Sequence, residues 1–190
     1  MERESNKTPL FQVGCVHGRF QPFHLGHLEY VLKAYELSNI LYIGLANSDP
    51  THINSDDTAP HRHLIEFNPF PYFARMEMVL GSIQEAGANL ARIRVVPFPI
   101  NKPELLVYYV PKEAIHLLTI YDNWGERKKQ VLKEEGFSIE VLWRRTEKIT
   151  TGTIVRQMIA NGQSISHLVP QFVDSYLREK TNCFKMTKDG

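Results

Sequence analysis

An apolar run from Phe11 to Val16 hands over, through Gly18-Arg19-Phe20-Gln21-Pro22-Phe23-His24-Leu25-Gly26-His27, to a helix-period stretch carrying Leu28, Val31, Leu32 and Tyr35. The same strand-to-helix alternation continues along the chain, and it constrains the fold more than any other feature. Short runs rich in Val, Ile and Leu predict strands over 11–16, 40–46, 93–97, 115–120 and 138–142. Helical periodicity predicts helices over 25–38, 72–86, 124–135 and 153–161, with weaker ones at 104–109 and 171–180. Strands without a polar face suit a sheet covered on both sides, and strands that alternate with helices suit a parallel one. The expected fold is therefore α/β: one doubly wound, parallel, five-stranded sheet with helices on both faces and a small C-terminal helical extension. The expected domain spans residues 10–180, with flexible termini at 1–9 and 181–190. Ligands of such sheets bind beyond the carboxyl ends of the strands.

The first strand-to-helix turn lies at that edge and has the chemistry of an anion site. Unpaired N–H groups and the positive dipole end of a helix welcome negative oxygens. Gly26, lacking a Cβ, lets a ligand approach the backbone. His24 and His27, three residues apart, fall on neighbouring positions of one helical face and can both donate to phosphate oxygens. A second site of the same kind stands far downstream, in Thr150-Thr151-Gly152-Thr153-Ile154-Val155-Arg156. Thr151 or Thr153 suits the N-cap of a helix, and Arg156 follows about one turn in, where a guanidinium can grip a phosphate bidentately.

With both segments in hand, the chain resembles the HxGH nucleotidyltransferase superfamily. That superfamily holds the nicotinamide and nicotinate mononucleotide adenylyltransferases, phosphopantetheine adenylyltransferase and the small cytidylyltransferases. The downstream segment is similar to its Ser/Thr-x-Thr-x-Ile-Arg motif at Thr151, Thr153, Val155 and Arg156, and the likeness covers residues 11–156. It implies a Rossmann-like fold and transfer of a nucleotidyl group, with His24, His27 and Arg156 stabilising the phosphates and the departing pyrophosphate. It implies nucleotide contacts at Gly18, Phe20, Gly26, Thr151 and Thr153, and at Asp122 and Trp124 where a strand ends in polar and aromatic residues. Arg19 reads equally as a phosphate contact or a solvated side chain, and Trp124 as a base-stacking ring or a core residue. Mg²⁺ would travel on the triphosphate, with no protein metal ligand. Related adenylyltransferases carry Asn-Pro and then Arg before a similar helix, which points to Asn68 and Arg75 as residues that order the site or hold substrate.

The acceptor is the open choice. Overall layout resembles the microbial nicotinamide mononucleotide adenylyltransferases, so the leading expectation is AMP transfer from ATP to that mononucleotide or its nicotinate counterpart. Their Asp and Trp after the third strand are missing here, where Asn101 is kept and Phe98 is a candidate for acceptor contact, with Tyr108, Tyr109 and Trp124 as other rings that could replace the lost stacking. The second expectation keeps the chemistry with CTP and another small phosphorylated acceptor, and the third is a nucleotide sensor without catalysis.

Composition narrows the partners. With 22 Lys plus Arg against 21 Asp plus Glu, the formal charge of +1 offers no field for nucleic acid or membrane. Two cysteines far apart, Cys15 and Cys183, argue against a disulfide framework and fit a cytoplasmic protein. A homo-oligomer is compatible with all of this. Residues 47–71 lack periodicity while carrying Asp49, His52, Asp56, Asp57, His61 and His63; without paired ligand spacing they read as a loop ordering over a nucleotide, in preference to a metal centre.

Overall fold

A computed structural model describes residues 9–49 and 68–186. Five strands form one sheet: β1 (Phe11–Gly18), β2 (Ser38–Leu45), β3 (Ile93–Pro97), β4 (Ile115–Ile120) and β5 (Ser138–Arg144). Their order is β3-β2-β1-β4-β5 and every neighbouring pair is parallel. The chain thus builds outward from β1 in one direction and then from β4 in the other, which makes the crevice between those two strands the switch point. The helices are α1 (Leu25–Leu37), α2 (Tyr72–Glu85), α3 (Asn123–Glu134), α4 (Gly152–Ala160) and α5 (Gln171–Met186). The segment expected as a weak helix at 104–109 is a 3-10 turn, Pro103–Tyr108.

Side chains alternating along β1 feed two cores. Val16 joins Leu41, Ile43, Val31, Met78 and Val173 on the face covered by α1, α2 and α5. Cys15 joins Phe98, Leu106, Leu118, Leu132 and Phe137 on the face covered by α3. Cys15 is a free thiol, and burial pushes its pKa up, so it serves as a small core residue. No helix among the described residues is long and apolar enough to cross a membrane. Most of the 47–71 loop, including His52, Asp56, Asp57, His61 and His63, lies outside the described residues.

Two boundaries differ from the sequence expectation in ways that matter. Strand β1 runs two residues past Val16, because His17 and Gly18 pair with Gly44 and Leu45 of β2. His17 is therefore a strand residue, although its polarity ends the apolar run. Helix α5 continues to Met186, past the Lys180 end that periodicity suggested.

Of the two roles expected for Arg75 the geometry fits ordering the site, and the expected acceptor contact of Phe98 is corrected. Arg75 is 1% exposed, and its guanidinium donates to the carbonyls of Arg19 at 2.8 Å, Ala46 at 2.6 Å and Asn47 at 2.8 Å. It braces the loops after β1 and β2 from beneath, since buried carbonyls must find donors. Burial lowers its pKa to about 10, which leaves it a cation at neutral pH. Phe98, also fully buried, turns into the second core and stacks on His17 with ring centroids 4.2 Å apart. Asn68 lies beside the β2 loop, where its side chain oxygen accepts from Asn47 at 3.2 Å.

Candidate active site

Beyond the carboxyl ends of β1 and β4 opens a pocket of about 380 Å³, lined by both segments singled out in the sequence. Its walls hold Gly18, Arg19, Phe20, His24, Gly26 and His27 from the first turn, and Thr151, Thr153 and Arg156 from the second. Asp122, Trp124 and Asn101 complete the expected set on the wall.

His24 caps α1 with its own ring. Its backbone is extended, at φ −141 and ψ 172, and its Nδ1 accepts from the His27 N–H at 3.3 Å. An Nδ1 that accepts carries no proton, so the neutral ring must carry its proton on Nε2. The cap thereby fixes the tautomer and makes Nε2–H a donor. His27 stacks on that ring with centroids 3.5 Å apart and meets the edge of Phe20 at 4.8 Å. Burial pushes both pKa values down, that of His24 to about 4, with Lys148 adding to the effect. His27 is depressed further by its neighbours His24 and Arg19. Both rings are neutral at pH 7.

The second segment docks on the first through backbone. Thr151 is the N-cap of α4, its Oγ1 accepting from Ile154 N–H at 3.3 Å, which decides between the two threonines. Arg156 donates from one nitrogen to the Gln21 carbonyl at 2.6 Å and from the other to Thr153 Oγ1 at 3.3 Å. A Cβ on Gly152 would stand 2.6 Å from that same Gln21 oxygen, so only glycine lets α4 start this close. We expect Gly152→Ala to push α4 away from the turn and break the Arg156 contact, lowering kcat/KM about tenfold or more. Steady-state assays beside a melting curve would check this, with some loss of stability expected as well because α4 buries Val155 in the core.

Gln21, unnoticed in the sequence, is the joint between three elements. Besides accepting from Arg156, its side-chain amide pairs with both backbone groups of Phe70 at 3.0 Å, which anchors the far end of the 47–71 loop. Those partners are 49 and 135 residues away, so no local signal marks it. Lys128 and Lys148 were also missed as pocket residues. Lys148 pairs with Asp122 at 3.4 Å, while the other oxygen of Asp122 caps α3 through the Gly125 N–H at 3.0 Å. A signal for Lys128 did exist: Trp124 and Lys128 are four apart on α3 and share its pocket face.

Backbone donors at two helix starts, neutral imidazole donors and several cations in one concave site suit a polyphosphate. Among the described residues no group of three or more His, Cys, Asp or Glu is placed to hold a metal ion.

The chain belongs to the cytidylyltransferase-like family of nucleotidyltransferases. A sequence model of that family matches residues 15–86. The phosphonoformate cytidylyltransferase of Streptomyces viridochromogenes is 45% identical over 166 residues, covering 87% of this chain and 90% of the relative. The nicotinamide-nucleotide adenylyltransferase of Saccharolobus solfataricus is 28% identical over 167 residues, covering 87% and 90%. Among solved structures, a bifunctional NMN adenylyltransferase/ADP ribose pyrophosphatase from Francisella tularensis shares the fold at a TM-score of 0.59 and 18% identity. The match takes in 93% of this chain but 55% of that one.

Proposed function

We propose that this nucleotidyltransferase moves CMP from CTP to a small phosphonate or phosphate acceptor and releases pyrophosphate. The observation that carries the reading is the 45% identity, sustained over 87% of the chain, to a cytidylyltransferase, against 28% to an adenylyltransferase. It favours the second of the three sequence expectations over the first, transfer of AMP from ATP to a pyridine mononucleotide.

The chemistry asked of the site is alignment and charge stabilisation. An oxygen of the acceptor's dianion bonds to the α-phosphorus of CTP as the bond to the bridging oxygen breaks, and pyrophosphate carries that electron pair away. The attacking oxygen is already ionised, so no base is needed. His24 Nε2–H and His27 would donate to the phosphate oxygens where charge builds up, and Arg156 would hold the opposite side. Gly18, Phe20, Gly26, Thr151 and Thr153 would supply close backbone or hydroxyl contacts, with Arg19 adding charge. Trp124, half-buried on the pocket wall at the start of α3, would stack on the base. The donor set of the wall is mostly cationic and N–H, which fits a Mg²⁺ coordinated by phosphate oxygens and water. When bound it would neutralise part of the triphosphate charge.

The test is a panel of CTP, ATP, GTP and UTP against phosphonoformate, phosphonoacetate and nicotinamide mononucleotide, read by pyrophosphate release. CTP with a phosphonate is expected to exceed ATP with the mononucleotide by at least about tenfold in kcat/KM, about 1.4 kcal/mol of transition-state preference. The reverse order would restore the adenylyltransferase reading, and no release with any pair would leave the sensor.

A further inference from the structure

At the end of β1, next to the phosphate-binding turn, three residues are committed to holding one imidazole. His17 lies in the pocket wall, 5% exposed. Its ring lies flat on Phe98, with planes 7° apart. Phe98 can lie there only because its neighbour on β2 is Gly44: a Cβ on Gly44 would stand 2.4 Å from the Phe98 ring. His116 packs edge-on against it at 6.3 Å, on the Phe98 side, since it also lies 5.9 Å from the Phe98 ring. The ring is thus fixed by packing, yet neither of its nitrogens has a hydrogen-bond partner among the described residues.

An apolar ring would fill that shelf without leaving polar atoms unpaired, and an unpaired buried polar group is costly. A ligand oxygen arriving from the pocket repairs the deficit. Burial, Lys128 and His116 all hold the His17 pKa low, so the ring is neutral and keeps one N–H to give. Lys128, on the pocket wall formed by α3, lowers the pKa of both His17 and His27 through its charge and so lies within electrostatic reach of both rings. Asn101, from the segment after β3, adds an amide to the same pocket. An imidazole N–H, an ammonium and an amide suit a compact second anion and do not suit a flat aromatic ring.

We propose that His17, with Lys128 and Asn101, forms a subsite for a second acidic group on the acceptor, a carboxylate borne close to the phosphonyl or phosphoryl group that attacks CTP. This rests on the cytidylyltransferase reading for the identity of the nucleotide alone; the subsite concerns the acceptor. His17 acts here as a specificity residue.

The experiment compares wild type with His17→Phe, which keeps the stack on Phe98, and His17→Gln, which restores an N–H donor. Phosphonoacetate and methylphosphonate serve as acceptors, differing in the carboxylate. Turnover is measured with whichever nucleotide the panel selects, and phosphonoacetate binding by calorimetry. Wild type is expected to favour phosphonoacetate by tenfold or more in kcat/KM. His17→Phe should reduce that preference to within about twofold and raise the KM for phosphonoacetate, with the nucleotide KM changed less than twofold and phosphonoacetate heat lost. His17→Gln should recover part of the preference. An unchanged preference in His17→Phe, or equal loss for both acceptors, would overturn the subsite. So would a wild type that does not discriminate between the two acids. Turnover of ATP in place of CTP would defeat the nucleotide reading while these acceptor comparisons still stood, so the two failures are separable.

Discussion

His24→Asn is expected to fold like the parent and to turn over about 10²- to 10³-fold more slowly, the loss typical of removing one fixed donor to a developing oxyanion. The choice of Asn separates two duties of one side chain. His24 caps α1 through Nδ1 and presents a donor through Nε2, and alanine would remove both. Asparagine is among the best N-caps, so it can still accept from the His27 N–H but cannot reach where Nε2 reached. Melting temperature should therefore hold within a few degrees while kcat falls. His27→Ala should cost a similar factor without touching the cap, and the double variant should lose far less than the product, because the two stacked rings act on one transition state. A wild-type kcat in His24→Asn would remove the ring from the chemistry and leave it as a helix cap only.

Acid should destabilise this protein steeply between pH 6.5 and 4. Four histidines, His17, His24, His27 and His116, have pKa values lowered by burial, those of His24 and His116 to about 4. A depressed pKa means that the unfolded chain takes up protons in a range where the folded one does not. The stability from each group is fully present above about pH 6.5 and drains away as pH falls toward 4. Each fully shifted group contributes a slope of roughly 1.4 kcal/mol per pH unit in that window. For His24 and His116 together this is about 4 kcal/mol by pH 5, against a total of about 5–15 kcal/mol for a typical domain. Denaturant unfolding at pH 7.5, 6.5, 5.5 and 5 should show that decline. His116 is fully buried with neither ring nitrogen partnered among the described residues, so His116→Leu should change stability at pH 7.5 little and flatten the acid slope. A stability that stays level down to pH 5 would mean that these rings take up protons in the folded state.

The phosphate-binding turn was legible because everything it needs is local. A strand, a break and a helix start lie within one short segment, and the capping position of His24 follows from where the helix begins. The same holds for Thr151 and α4. Phe98 misled, and Arg75 stayed open between ordering the site and holding substrate, for the opposite reason. An aromatic after a strand and an Arg at a helix start resemble ligand contacts, and only the packed chain reveals that Gly44 makes room for one and three carbonyls claim the other. His17 escaped notice because polarity ended the predicted strand at Val16, although pairing with β2 carries it on to Gly18.

By itself, then, the sequence determined the alternating α/β architecture and the two helix starts that suit phosphate, since hydrophobic period and capping chemistry act over a few residues. Tertiary structure alone decided how those starts meet, with Gly152 and Arg156 on the Gln21 carbonyl, and what lines the rest of the pocket. Those contacts join residues 49 to 135 positions apart, and backbone groups that look alike in sequence become distinct only when folding buries them and leaves each to find a partner.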